Sequence, residues 1–442
     1  MIQMLSPNKI IGVALIALFT AWAVCAALGV MGQRKLFYVE GGEELYDFWM
    51  PRMCLEQGYI GHPENWSGWR EVRTGKSMMV DEHDVVWSDW YTDGSETRFV
   101  TGWRDKVYPK IALFSVAPFP ATRVGGYFWS ALAGTIFLAS LCLIGRSWKP
   151  LLLVLSMPFL FNIERGNPVW LSAACVGIFL AWWDDESEWK SMVAAGCLAV
   201  ATAMKIAPCV LGVLYFTKWR WKAVVFSGVL ALVLVLVPWF FDRDGFAALA
   251  VMVRNASEHS EFVLRASDFG FVELWRTMRV VLGLDVTAPW PGMMVVARLS
   301  QLFGFVALVC GAKRRDYLLL VGGMILLAGN MYYYAMLYLL PVLVMEMFCR
   351  VEMKSCGDGL EIGNLNHRGE HVERVDDKKG WSIRVELGLW LAMLSPLQLV
   401  LLDHSANQVI GNSAMMILMV IGFLKYYRKS ERKIICTTSI KL

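Results

Sequence analysis

Residues Ile10 to Met31 read IIGVALIALFTAWAVCAALGVM, 22 nearly unbroken apolar residues behind Lys9. A helix rising about 1.5 Å per residue crosses roughly 30 Å of hydrocarbon in that length. The run is longer than a signal-peptide core, and Gly32-Gln33-Arg34-Lys35 is a poor cleavage site, so it reads as a retained first span with its N-terminus in the cytoplasm. Composition agrees. The chain has 442 residues, of which 57% are hydrophobic and 18% charged, and its mean hydropathy is +0.47. This is the make-up of an integral membrane protein, not of a soluble domain. The net charge of +4 is small, and its basic residues fall in short clusters between apolar runs. That pattern orients a chain in a bilayer and argues against nucleic-acid binding.

Further apolar runs follow at Val124–Ile144, Leu151–Phe161, Val169–Trp183, Ser191–Met204, Ile206–Phe216 and Ala223–Phe241, then at Met293–Gly311, Tyr317–Ala328, Tyr332–Phe348, Glu386–Leu402 and Val409–Leu424. With the first they predict an all-α membrane bundle of about twelve transmembrane or half-spanning helices. Arg146 and Lys149, Lys218 to Lys222, Lys313 to Arg315 and Lys425 to Lys433 all fall on the side that this alternation assigns to the cytoplasm. Both termini are then cytoplasmic. Leu151–Phe161 and Ile206–Phe216 are too short to span and read as half-helices sheltered by neighbours around a cavity. The chain is read as one polytopic domain with two long outer loops, residues 33–110 and 242–291, and a flexible cytoplasmic loop at 349–385.

Most of the ten cysteines lie inside apolar runs and only Cys54 falls in an outer loop, so neither a disulfide framework nor a cysteine metal site is expected. His367-Arg-Gly-Glu-His371 matches an inverted zinc-protease pattern, but Gly369 and polar flanks argue against the stable helix that such ligands require.

Four outward-facing places combine polarity with apolar flanks. The first is Glu40 to Gly58, EGGEELYDFWMPRMCLEQG, where acids cluster at the edge of an apolar surface and Asp47 lies near Arg52. By spacing alone Asp47 serves as a helix cap or as an acid/base group. The second is Tyr108-Pro109-Lys110, before an apolar run too short to span; it reads as a turn that returns the loop to the membrane surface. The third is Asn162-Ile-Glu164-Arg165-Gly166-Asn167-Pro168, a short outward turn with little reason to be charged. Lys205 is a lone cation near the end of an apolar helix, either snorkelling to headgroups or binding phosphate. The fourth is FVLRASDFGFVELWRTM in the second outer loop, with Arg265, Ser267 and Asp268 beside an amphipathic pattern that suits a helix lying flat on the bilayer.

Taken in order, these residues resemble the GT-C superfamily of multi-spanning glycosyltransferases, and most of all glycosyltransferase family 87, the polyprenyl-phosphate-mannose-dependent mannosyltransferases. An aspartate followed by an aromatic opens a first-loop helix (Asp47-Phe48-Trp49) and a Tyr-Pro pair ends the loop (Tyr108-Pro109). A Gly-polar pair begins a span (Gly166-Asn167) and Lys-x-x-Pro closes another (Lys205 to Pro208). Ser267-Asp-Phe-Gly270 and an aromatic helix from Tyr332 to Pro341 complete the series, over roughly residues 10 to 345. The chain departs from the family pattern where Lys110 replaces a second proline and where Gly166-Asn167 replaces Gly-Gln.

The resemblance implies a GT-C-like bundle in the membrane, a bacterial plasma membrane by expectation. It also implies transfer of a hexosyl residue, mannosyl by analogy, from a polyprenyl-phosphate-linked donor to a lipid or glycan acceptor on the outer face. Asp47 is then the base. Arg165, Lys205 and Arg265 are the candidate phosphate partners, and Arg52, Tyr108, Lys110, Glu164, Asn167, Ser267 and Asp268 are further substrate contacts. No metal and no cofactor is expected, because the leaving group carries a single phosphate. The rival reading is a polytopic transporter or lipid flippase, against which the charges concentrate in two outer loops and no internal repeat is evident.

Overall fold

The structure is a computed structural model. It describes residues 7–28, 45, 48, 51, 54–55, 91–92, 97–98, 108–120, 122–242, 244–265, 269–284, 292–329, 333–349, 377–397, 400–401 and 404–439. Over these residues the chain is helical, apart from two antiparallel pairings of two residues each, Tyr91–Thr92 with Thr97–Arg98 and Val400–Leu401 with His404–Ser405.

The helices are α1 (Pro7–Leu28), α2 (Lys110–Val116), α3 (Arg123–Gly145), α4 (Met157–Arg165), α5 (Val169–Trp182), α6 (Glu188–Met204), α7 (Val213–Thr217), α8 (Trp221–Leu236), α9 (Gly245–Arg265), α10 (Gly270–Val281), α11 (Met293–Arg314), α12 (Tyr317–Ala328), α13 (Leu339–Leu343), α14 (Asp377–Leu394) and α15 (Ala406–Ser439). Among the described residues three helical segments are long and apolar enough to cross a membrane, Val124–Gly145, Trp221–Phe241 and Met293–Arg314, and eight more are apolar but only 10–17 residues long. The helical membrane architecture stands, therefore, while a count of twelve crossings goes beyond it.

Proline explains much of the shortening. Tight 3₁₀ turns at Lys149–Leu155, Ala207–Gly212 and Val237–Phe241 each carry a proline at their first or second position, as does α4. Proline removes one backbone donor and fixes φ, so it starts a helical segment easily and continues one badly. The short runs read at Leu151–Phe161 and Ile206–Phe216 each overlap one of these turns, and Leu151, Ile206 and Phe216 are exposed. FVLRASDFGFVELWRTM departs from a single flat helix: α9 ends at Arg265 and α10 begins at Gly270, whose φ of +69° breaks the continuity.

Burial sorts the bundle into centre and rim. Residues 318–326 of α12 and 339–344 around α13 are buried throughout, whereas α8 leaves Val225, Val229 and Leu232 exposed. An apolar helix with no polar face is either core or lipid-facing, and here both cases occur. The tightest contact is α11 on α12: a Cβ added to Gly304 would lie 2.7 Å from Leu327 N and 2.9 Å from Gly323 O, and one on Gly323 would lie 2.6 Å from Gly304 O. Small residues let the two backbones touch, which is how helices associate where no hydrophobic force separates protein from lipid.

The chain turns divide between two ends. α5 rises about 21 Å over Val169–Trp182, between the turns at Asn167 and Asp184, and α6 returns to Lys205. The basic turns at Arg146, Lys218–Lys222 and Lys313–Arg315 gather at the Asp184 end; Leu45, Tyr108, Asn162–Asn167, Lys205 and Trp239–Asp242 gather at the other.

Candidate active site

The end of α4 organises the second group. Gly166 caps this helix in the left-handed region (φ +64°), its N–H bonding to Asn162 O at 3.0 Å. A Cβ here would lie 2.8 Å from Phe48 Cβ and 3.3 Å from Leu45 Cδ2, so both the backbone angle and the space require glycine. Leu45 N donates to Glu164 O at 2.7 Å, and Trp129 Nε1 to Gly166 O at 3.2 Å. On α3 a Cβ at Gly126 would meet Leu45 Cδ1 at 2.7 Å and Phe48 Cδ1 at 3.0 Å. Leu45 and Phe48, both wholly buried, are thus fixed against α3 and α4, and Phe48, Pro51, Cys54 and Leu55 are helical.

A second set meets at Lys205. The residue ends α6 with an extended backbone (φ −145°, ψ 120°), because Pro208 begins the next turn. Its ammonium lies 4.7 Å from the Tyr108 ring centroid and 5.0 Å from that of Tyr334. Each aromatic face attracts a cation by its quadrupole, worth about 0.5–1 kcal/mol at an exposed site. Asn162 ties this pair to α4: buried, it donates through Nδ2 to Pro158 O at 2.8 Å and to Tyr334 O at 3.2 Å. Two distant parts of the sequence, at Tyr108 and Tyr334, therefore flank one cation, and a third, at Asn162, holds Tyr334.

Lys110 lies two residues beyond Tyr108 and forms a buried ion pair with Asp242, while Trp239 lies 5.3 Å from its ammonium. Its charge is therefore engaged within the protein by residues 239–242, which follow α8. Asn167 is buried, and its Oδ1 accepts from Val169 N at 2.9 Å at the start of α5. Arg165 Cζ lies 6.0 Å from the Phe161 ring, and Glu164 is half-buried, contributing its carbonyl to Leu45. Arg265 is described only as the last residue of α9; Asp47, Arg52, Ser267 and Asp268 lie outside the described residues.

The sequence reading missed Asn162 as a bridge, Asp242 as the partner of Lys110 and Tyr334 as half of the lysine's cage. A buried Asn and an aromatic run were visible signals; their partners were not. Among the described residues no group of three His, Cys, Asp or Glu side chains is placed to hold a metal ion.

A sequence model of glycosyltransferase family 87 matches residues 107–337, which take in Tyr108, Asn162 to Asn167, Lys205 and Tyr334. No curated protein and no solved structure matches the chain.

Proposed function

On the premise that this chain belongs to glycosyltransferase family 87, we propose that it transfers a hexosyl residue, mannosyl by the family resemblance, from a polyprenyl-phosphate donor to a lipid-linked or glycan acceptor. The chain is a membrane glycosyltransferase; donor, sugar and acceptor are this proposal's own content. We place the reaction at the outer face of a bacterial plasma membrane, with both termini in the cytoplasm.

The acceptor hydroxyl oxygen forms a bond to the anomeric carbon as the bond from that carbon to the phosphate oxygen breaks. The hydroxyl proton passes to the Asp47 carboxylate, and polyprenyl phosphate departs with the bonding electron pair. An ordinary aspartate, with a pKa of about 3.9, is ionised at neutral pH and ready to accept that proton. Lys205 stabilises the negative charge growing on the leaving phosphate, aided by Arg165 and Arg265; an arginine matches two phosphate oxygens at once, and a lysine acts as a point charge.

The observation that carries this reading is the Lys205 ammonium held between Tyr108 and Tyr334 at the same end of the bundle as Leu45 and Phe48, the described neighbours of Asp47. The test is transfer from a polyprenyl-phosphate sugar by the purified protein in vesicles. Wild type is expected to be active and Asp47→Asn to be inactive with an unchanged melting profile. Full activity in Asp47→Asn would remove that residue from the chemistry.

A further inference from the structure

At the end of the bundle opposite Lys205, three turns converge on one carboxylate. Asp184, in the turn between α5 and α6, forms ion pairs with Arg315 Nη1 at 2.8 Å, Lys218 Nζ at 3.3 Å and Arg220 Nη2 at 3.5 Å. Arg220 Nη1 also donates to Ser191 Oγ at 2.9 Å and to Asp185 O at 3.1 Å, and the Arg315 guanidinium lies 5.5 Å from the Trp183 ring. Asp185 does not relieve the imbalance, being paired with Lys190 at 3.0 Å. Three positive charges thus share one negative charge.

The donors are also unevenly used. An ammonium offers three N–H groups and a guanidinium five. Lys218 spends its charge on Asp184 alone, and Arg315 on Asp184 and the Trp183 face; their side chains are 42% and 45% exposed. Around them stand Trp219, 74% exposed, and Trp221, 50% exposed, their rings 5.7 Å apart. Exposed indoles beside basic side chains suit the level where acyl chains give way to headgroups. Backbone strain marks the same place. Of the four described non-glycine residues with positive φ, three lie in turns at this end: Arg146 (46°), Trp219 (54°) and Arg315 (58°). Such angles persist where surrounding contacts enforce them.

We propose that Lys218, Arg220 and Arg315, with Trp219 and Trp221 at the rim, form a binding site for the phosphate of an anionic phospholipid in the leaflet opposite the transfer reaction. The surplus of two positive charges needs a counter-ion at a boundary of reduced dielectric, and a headgroup phosphate with acyl chains beneath it meets both the cations and the indoles. The site does not depend on which sugar the enzyme transfers.

The test is native mass spectrometry of the full chain released from nanodiscs of phosphatidylcholine with phosphatidylglycerol, with thermal melting in parallel. Wild type is expected to retain phosphatidylglycerol in preference to phosphatidylcholine. Loss of each cation should weaken retention about fivefold, so Lys218→Gln with Arg315→Gln should nearly abolish the preference. Asp184→Asn, which removes the competing carboxylate, should strengthen it, and provides a readout in the opposite direction if the double variant folds poorly. Equal retention of both lipids by wild type overturns the proposal. So does a preference unchanged in both variants, or stabilisation by inorganic phosphate alone equal to that by the lipid.

Discussion

Replacing Lys205 with methionine isolates the charge at the centre of the proposed site. The methionine keeps the unbranched stem between Tyr108 and Tyr334, and its sulfur retains an aromatic contact worth about 0.3–1.5 kcal/mol. The two lost cation–π contacts contribute about 0.5–1 kcal/mol each, so the net change in stability should stay within about 1 kcal/mol. The functional loss should be larger. A lysine about 4 Å from a phosphate oxygen, at an effective dielectric of about 20, contributes about 4 kcal/mol. Lys205 is half-buried, and solvent screening reduces that to about 2–3 kcal/mol, or about 30- to 150-fold in kcat/KM. Steady-state transfer from a labelled polyprenyl-phosphate donor measures this directly, and Lys205→Arg should recover part of the loss. A methionine variant that melts normally and keeps kcat/KM within about threefold of wild type would refute the assignment of Lys205 to the phosphate.

Other expectations concern stability. Lys110→Met leaves the Asp242 carboxylate buried without its ion-pair partner and should cost about 3–5 kcal/mol in a thermal or denaturant melt; adding Asp242→Leu should restore most of it, and a silent single variant would mean that the pair is well solvated. Gly304→Ala puts a methyl against the α12 backbone and should cost about 1–3 kcal/mol, whereas Val225→Ala on the exposed side of α8 should change stability by less than about 0.5 kcal/mol; equal effects would contradict the close approach of α11 and α12. The Ser187 N–H, followed by the Lys190 ammonium, holds the Asp185 carboxyl below the usual carboxylate range. A depressed folded pKa means that this stabilisation is present above the unfolded value of about 3.9 and is lost as pH falls through the folded one. Asp185→Asn should therefore flatten the acid limb of a plot of Tm against pH, and an unchanged limb would show that the carboxyl is not stabilised in the folded state.

How far the residues alone reach is clearest helix by helix. The apolar run at Tyr317–Ala328 coincides with α12, that at Val124–Ile144 differs from α3 by one residue at each end, and that at Val169–Trp183 exceeds α5 by one residue. In hydrocarbon every backbone group must find its partner within the segment, so composition and length settle where such a helix begins and ends. The shortness of the runs at Leu151–Phe161 and Ile206–Phe216 was legible too, but not that proline-bearing turns at Lys149–Leu155 and Ala207–Gly212 overlap them. The pairing of side chains was a different matter. Nothing local to Lys110 names Asp242, and nothing local to Lys205 names Tyr108 and Tyr334. Nor does Asp184 reveal the three cations brought to it by two other turns. A side chain's own surroundings in the chain record whether it prefers lipid, water or protein, whereas its partner is chosen by how the helices pack, and that choice exists only in three dimensions.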